Sequence, residues 1–236
     1  MMGISNPEKV WNKNGEFSVI QMDQIRLGIE NGLTAEQIEI YAKPWFAADQ
    51  MALIGLGIEN GLTKEQVGIY AKPEFSSGQM NEIYEGLMKG LTAKQIELYA
   101  RPEFDFFQMA QIRVGMENGL TAEQIGLYAK PEFYYEQMVE IRWGLEHGLT
   151  EEQVSIYAKP EFGYEEMNQI REGLEYGLKP VSIYAKPVFH PNQMAQIRKH
   201  LEREASGEDV IMNQKSENAR AINHTQRGGV EDGLGR

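Results

Sequence analysis

Cysteine is absent from this 236-residue chain, which excludes disulfides, thiolate nucleophiles and cysteine-held metal centres. No apolar run approaches the roughly 18 residues a membrane-spanning helix needs, and the opening "MMGISNPEKVWNKNGEF" lacks the apolar centre of a secretory signal. The expectation is therefore a cytoplasmic protein with no membrane partner. Positive charge is scarce: 23 Lys and Arg stand against 35 Asp and Glu, a net charge of −12. Nonspecific binding to a nucleic-acid backbone needs a basic face, so that class is set aside, although an acidic chain could mimic a nucleic acid. Histidine is equally thin. His147, His190, His200 and His224 are scattered without metal-ligand spacing, and neither a Gly-x-Ser-x-Gly elbow, a phosphate-binding loop nor a dinucleotide fingerprint occurs. No catalytic residue, metal ligand or cofactor is expected, and the chain is not expected to be an enzyme.

What the chain does have is repetition. With 42% hydrophobic and 10% aromatic residues it can bury a core, and Met22, Met51, Met80, Met109, Met138 and Met167 recur every 29 residues. Met194 follows after 27, because "GLKPVSIYAKP" is two residues shorter than "GLTEEQVSIYAKP". Each unit reads as two short helices. In the first, Met22, Ile25, Ile29 and Leu33 form one apolar stripe, and Ser18 with Gln21, Ser76 with Gln79 and Asp105 with Gln108 have capping-box spacing. Gly32 is placed to end it in a left-handed conformation. Thr34 with Gln37 opens a second helix of about two turns, in which Ile38, Tyr41 and Ala42 share one face. Ile40 points the other way, so this helix is expected to be sandwiched. Pro44 then turns the chain and lets Phe46 pack on the next unit.

A hairpin this small cannot bury its own apolar face, so copies must stack on their neighbours. The expected fold class is all-α, an α-solenoid of two-helix repeats. Residues 1–17 read as a degenerate N-terminal capping half-repeat with Pro7 at a first helical position, 18–204 as the repeat array, and 205–236 as a polar tail, flexible unless a partner pins it. Glycines at 28, 57, 86, 115, 144 and 173 each cost a helix about 1 kcal/mol against alanine. Close backbone approach between adjacent hairpins is the expected compensation, and the last copy, with no following neighbour, has His200 there.

Over roughly residues 18 to 201 the sequence Tyr-Ala-Lys-Pro-Glu-Phe, followed by Gln-Met, Gln-Ile-Arg, Gly-Leu-Glu and Gly-Leu-Thr, resembles short helical-hairpin repeat arrays of bacterial mobile elements and phages. Tetratricopeptide, ankyrin and HEAT units have longer periods. The resemblance carries no activity with it. It implies a setting of conflict between host and element, in which solenoids act as inhibitors or sponges.

Positions constant across the copies are expected to be scaffold, and positions that vary are where a specific surface can be written. Varying positions place Phe106, Phe107, Tyr134, Tyr135, Trp143 and Tyr164 on exposed parts of the fourth and fifth first-helices and the start of the next, within residues 104 to 176. Clustered exposed aromatics mark interaction sites, so these six are the candidate contacts for a protein partner, with a homo-oligomer also open; the competing reading is that the rings fold back to fill gaps between hairpins. Among constant positions, Tyr128 and Tyr157 could stack a base while Arg113, Arg142, Arg171, Lys130 and Lys159 hold phosphates, which makes a small anionic nucleotide the alternative ligand. Against it, the Lys positions suit a helix C-terminus, the Tyr rings fall on a buried face, and each Arg has Glu four residues on, as a surface ion pair would.

Overall fold

The structure is a computed structural model that describes residues 10–207. Most of the expected capping half-repeat, and the expected tail from residue 208 onward, lie outside the described residues. Within them the chain is all-α: twelve complete α-helices and one 3₁₀ turn, with no strand among the described residues. The helices are α1 (Val19–Glu30), α2 (Ala35–Tyr41), α3 (Ala48–Glu59), α4 (Lys64–Tyr70), α5 (Ser77–Met88), α6 (Ala93–Ile96), α7 (Phe106–Glu117), α8 (Ala122–Ile125), α9 (Tyr135–Glu146), α10 (Glu151–Val154), α11 (Tyr164–Tyr176) and α12 (Pro191–Ser206), with the 3₁₀ turn at Val181–Ile183.

Two compact units are formed, one ending at Glu146 and the other beginning at His147. In the first, the long helices pack in sequence, α1 on α3, α3 on α5, α5 on α7 and α7 on α9. In the second, α11 packs on α12 and on the 3₁₀ turn. The apolar stripe explains the order. Met80 and Ile83 of α5, Ile96 of α6, and Tyr99 and Phe104 beyond it are wholly buried, and each such side chain stabilises the fold by about 1.5–3 kcal/mol.

Capping sets where the helices begin. Ser18, Ser76 and Asp105 each accept from the backbone N–H of the Gln three residues on, and Thr34, Thr63, Thr92, Thr121 and Thr150 do the same for the short helices. The long-helix glutamines have a second task that local spacing does not reveal. While Oε1 of Gln79 accepts from the Ser76 N–H at 2.8 Å, its Nε2 donates to the carbonyl of Phe104 at 2.6 Å, across 25 residues. Gln21 with Phe46, Gln50 with Phe75 and Gln108 with Phe133 repeat the bond at 2.7, 2.6 and 2.6 Å. One amide thus starts a helix and fastens the loop of the next hairpin.

Two expectations about the hairpin change. The second helix holds two turns only in α2 and α4; in α6, α8 and α10 it is one turn long, because the following N–H groups reach back three residues instead of four, as Leu98 does to Gln95 at 3.1 Å and Tyr99 to Ile96 at 3.0 Å. Its outer face is half-buried at Ile40, Ile69, Leu127 and Ile156 and exposed at Leu98 and Ile183, so the sandwiching is partial and differs from copy to copy.

The mid-helix glycines face a side chain of their own hairpin rather than a neighbouring backbone. A Cβ at Gly28, Gly57, Gly86 or Gly115 would stand 1.9–2.1 Å from the hydroxyl of Tyr41, Tyr70, Tyr99 or Tyr128 respectively. Each hydroxyl donates to a backbone carbonyl four residues before its glycine, Tyr99 to Glu82 at 3.1 Å for example. The glycine is the notch that admits the phenol. His200 fits this reason too, since position 213, where the 13-residue spacing would put the tyrosine, is Asn.

Candidate functional site

Arg113, Arg142 and Arg198 on the long helices are clasps, whereas Arg26 on α1 pairs with Asp23 of its own helix at the surface. Arg142 donates through Nη1 to both carboxylate oxygens of Glu146 at 2.7 Å, one turn further along α9, and through Nε to Oε1 of Gln111 on α7 at 3.3 Å. Arg113 donates through Nη1 to one carboxylate oxygen of Glu117 and through Nε reaches back to Glu82 on α5 at 2.9 Å. In the second unit Arg171 pairs with Glu175 at 2.8 Å. Arg142 and Arg171 are buried, at 8% and 6% exposure, so these are not the surface pairs that spacing alone suggested. An Arg fork that joins two helices and leaves few atoms in water is worth more than an exposed pair. We expect Arg142→Lys, which keeps the charge but loses the fork, to lower stability by about 1–2 kcal/mol in chemical denaturation. An unchanged midpoint would mean that the clasp contributes nothing beyond its charge.

The tyrosines named with them, Tyr128 and Tyr157, are fully buried. Burial drives the hydroxyls of Tyr99 and Tyr128 well above the ordinary phenol range, with Arg113 and Arg142 pulling them partly back. Lys130 and Lys159 are exposed at the surface, and Lys130 lies over the Phe133 ring at 5.9 Å from its centroid, a weak cation–π contact. The seven residues of the alternative ligand site are therefore divided between a buried phenol layer, spent guanidinium clasps and exposed lysines.

The aromatic candidates behave differently. Phe106 and Phe107 occupy the first turn of α7 just after the Asp105 cap, where side chains splay outward, and Tyr135 holds the equivalent place on α9. Their rings form a run: Phe106 and Phe107 centroids are 4.0 Å apart, and Phe107 stacks on Tyr135 at 5.0 Å with 29° between planes. The floor under it is Gly78 on α5, whose Cβ position would lie 3.1 Å from the Phe106 ring. Although the rings touch one another, all three remain 37–48% exposed. Tyr134 and Trp143 are exposed in the same unit, and Tyr164 is exposed at the start of α11 in the other. Three of the six candidates are thus gathered into one apolar strip over α5, α7 and α9, and all six face solvent. Position 78 was not singled out from sequence; the signal available was a glycine at a varying position one repeat ahead of a phenylalanine.

Among the described residues no helix is long and apolar enough to cross a membrane, and no group of three or more His, Asp or Glu could hold a metal ion. Compared with protein-family models, curated proteins and solved structures, the chain matches none.

Proposed function

We propose that the chain is a noncatalytic α-solenoid scaffold that binds and sequesters a protein partner through the aromatic strip on α7 and α9. The observation that carries this reading is the strip itself. Phe106, Phe107 and Tyr135 are stacked and held in fixed positions on rigid helices yet stay open to water. An array of stacked hairpins built on the repeat supplies such a surface preformed, so little ordering entropy is lost on association. The buried tyrosines and internally paired arginines favour a protein over a nucleotide as ligand. An inhibitor carried by a mobile element, the setting its sequence resembles, belongs to the same proposal.

The test is photo-crosslinking from position 107 in a lysate of the source cells, with identification of the adduct and a binding isotherm for the purified pair. Phe107→Ala with Tyr135→Ala is expected to weaken that isotherm at least 100-fold, the loss of two packed aromatic anchors, with circular dichroism unchanged. Retained affinity in the double variant would reject the strip as the binding face.

A further inference from the structure

At the position that Arg113 holds on α7, Arg142 on α9 and Arg198 on α12, helix α3 carries Gly55. In these three copies the guanidinium joins a Glu four residues on to an acceptor on the preceding long helix: Glu117 and Glu82, Glu146 and Gln111, Glu202 and Gln169. Where α5 replaces the Arg with Tyr84, the Glu is replaced as well, by Met88, and the buried ring takes a hydrogen bond from Asn60 at 3.0 Å. On α3 only the cation is gone. Glu59 and, on α1, Gln24 remain.

Between them lies a cavity of about 260 Å³ lined by Gln24, Leu27, Tyr41, Gly55, Leu56 and Glu59 among others. The nearest atoms to a Cβ at Gly55 belong to the Tyr41 ring, at 3.8 and 3.9 Å, so crowding does not account for the glycine. Glu59 accepts from Asn31 Nδ2 at 2.8 Å, just as Glu146 accepts from Asn118 at 2.8 Å while also binding both its oxygens to Arg142. The same carboxylate arrangement therefore has room for a guanidinium. Burial first, and then the Glu59 charge beside it, push the Tyr41 hydroxyl up to about 12.

We propose that this cavity is a receptor for a guanidinium group supplied from outside the chain, with Glu59 and the Gln24 amide oxygen as acceptors and the Tyr41 ring as its floor. The ligand is an arginine side chain of a partner or a small free guanidine. An ammonium lacks the planar fork that meets two acceptors at once. The site lies on α1, α2 and α3, away from the aromatic strip in sequence, and does not depend on the function proposed for that strip.

The experiment is NMR titration of the full chain with N-acetyl-arginine-methylamide, its lysine counterpart and guanidinium chloride at constant ionic strength. Blocked arginine is expected to give saturable shifts at the Gly55 and Leu56 amides and the Gln24 side chain, with a dissociation constant on the order of millimolar. The lysine compound should bind at least tenfold more weakly. Glu59→Gln should weaken arginine binding at least tenfold, Gly55→Arg should abolish it by filling the cavity from within, and Gly55→Ala should retain it, which separates loss of the site from any change in the helix. If guanidinium ion binds as tightly as blocked arginine, the ligand is a small guanidine; tighter binding of blocked arginine assigns it to a partner's side chain. Nonsaturating shifts in the unmodified chain, equal binding of the lysine compound, or undiminished binding in Gly55→Arg would each overturn the proposal.

Discussion

Replacing Gly57 with alanine lowers the melting temperature of the chain by roughly 4–8 °C, although alanine is the best helix former and Gly57 sits inside α3. Elsewhere in a helix the same exchange gains about 1 kcal/mol. Here the new methyl would lie 2.0 Å from the Tyr70 hydroxyl and 3.2 Å from Leu62 Cδ1. Tyr70 cannot swing clear, because its ring is fully buried and its hydroxyl is tied to the Leu53 carbonyl at 3.3 Å. Forcing the ring aside is overpacking, which costs about 1–3 kcal/mol and occasionally more; the upper part of that range outweighs the helix gain, for a net loss of about 2 kcal/mol. The check is a double-mutant cycle with Tyr70→Phe. Alone, that change loses one hydrogen bond, about 1 kcal/mol. Combined with Gly57→Ala it removes the atom in the way, so the double variant should be more stable than Gly57→Ala alone, with a coupling of at least about 1 kcal/mol. Strict additivity would mean that the glycine serves something other than the phenol.

This pairing shows where sequence reasoning stops. Features that span four residues or fewer were legible: Ser18 with Gln21, Thr34 with Gln37 and the left-handed Gly32, which has φ +86°, all follow from local geometry. The contacts that organise the hairpins run over longer separations. Tyr70 meets Gly57 across 13 residues, Gln108 reaches Phe133 across 25 and Arg142 reaches Gln111 across 31. Their partners depend on how the two helices of a hairpin close on each other and how one hairpin lies on the next, which periodicity does not encode. The Arg-to-Glu spacing suits a surface pair, whereas burial and the bond to Gln111 make Arg142 a clasp between helices. A clue was present at Gln50, where Ala47 has replaced the capping side chain and yet the glutamine remains; it still binds the Ala47 N–H at 2.7 Å and the Phe75 carbonyl at 2.6 Å. For the candidate strip, varying positions did locate Phe106, Phe107 and Tyr135, but their mutual stacking and the Gly78 floor needed the register of three helices.

The same glutamine register allows a pH-dependent test of what joins one hairpin to the next. Gln108 accepts from the Asp105 N–H at 2.8 Å and donates to the carbonyls of Phe133 at 2.6 Å and Pro131 at 3.3 Å, and it is 6% exposed. Gln108→Ala strands a buried carbonyl and an N–H, so a loss of about 2–4 kcal/mol is expected, much the same at every pH. Gln108→Glu preserves the shape and the accepting oxygen but sets a carboxylate against two carbonyl oxygens, with the Asp105 side chain close by. Those neighbours and burial disfavour the charged form, so the folded pKa of the new carboxyl rises above the unfolded value of about 4.3. The protonated acid can donate to Phe133 as the amide does. Its contribution is therefore fully present below the unfolded pKa and is lost as pH rises through the folded pKa. Relative to the unmodified chain, Gln108→Glu should be destabilised by about 2–4 kcal/mol at pH 7 and recover most of that by about pH 4. Glu166, which stands at this position in α11, is followed by the shortened hairpin, so the array itself keeps glutamate away from the regular junctions of its first unit. Denaturant midpoints for the two variants and the parent across that range decide the matter. A Gln108→Glu deficit that does not change with pH would show that the bond to the Phe133 carbonyl is not what the amide supplies.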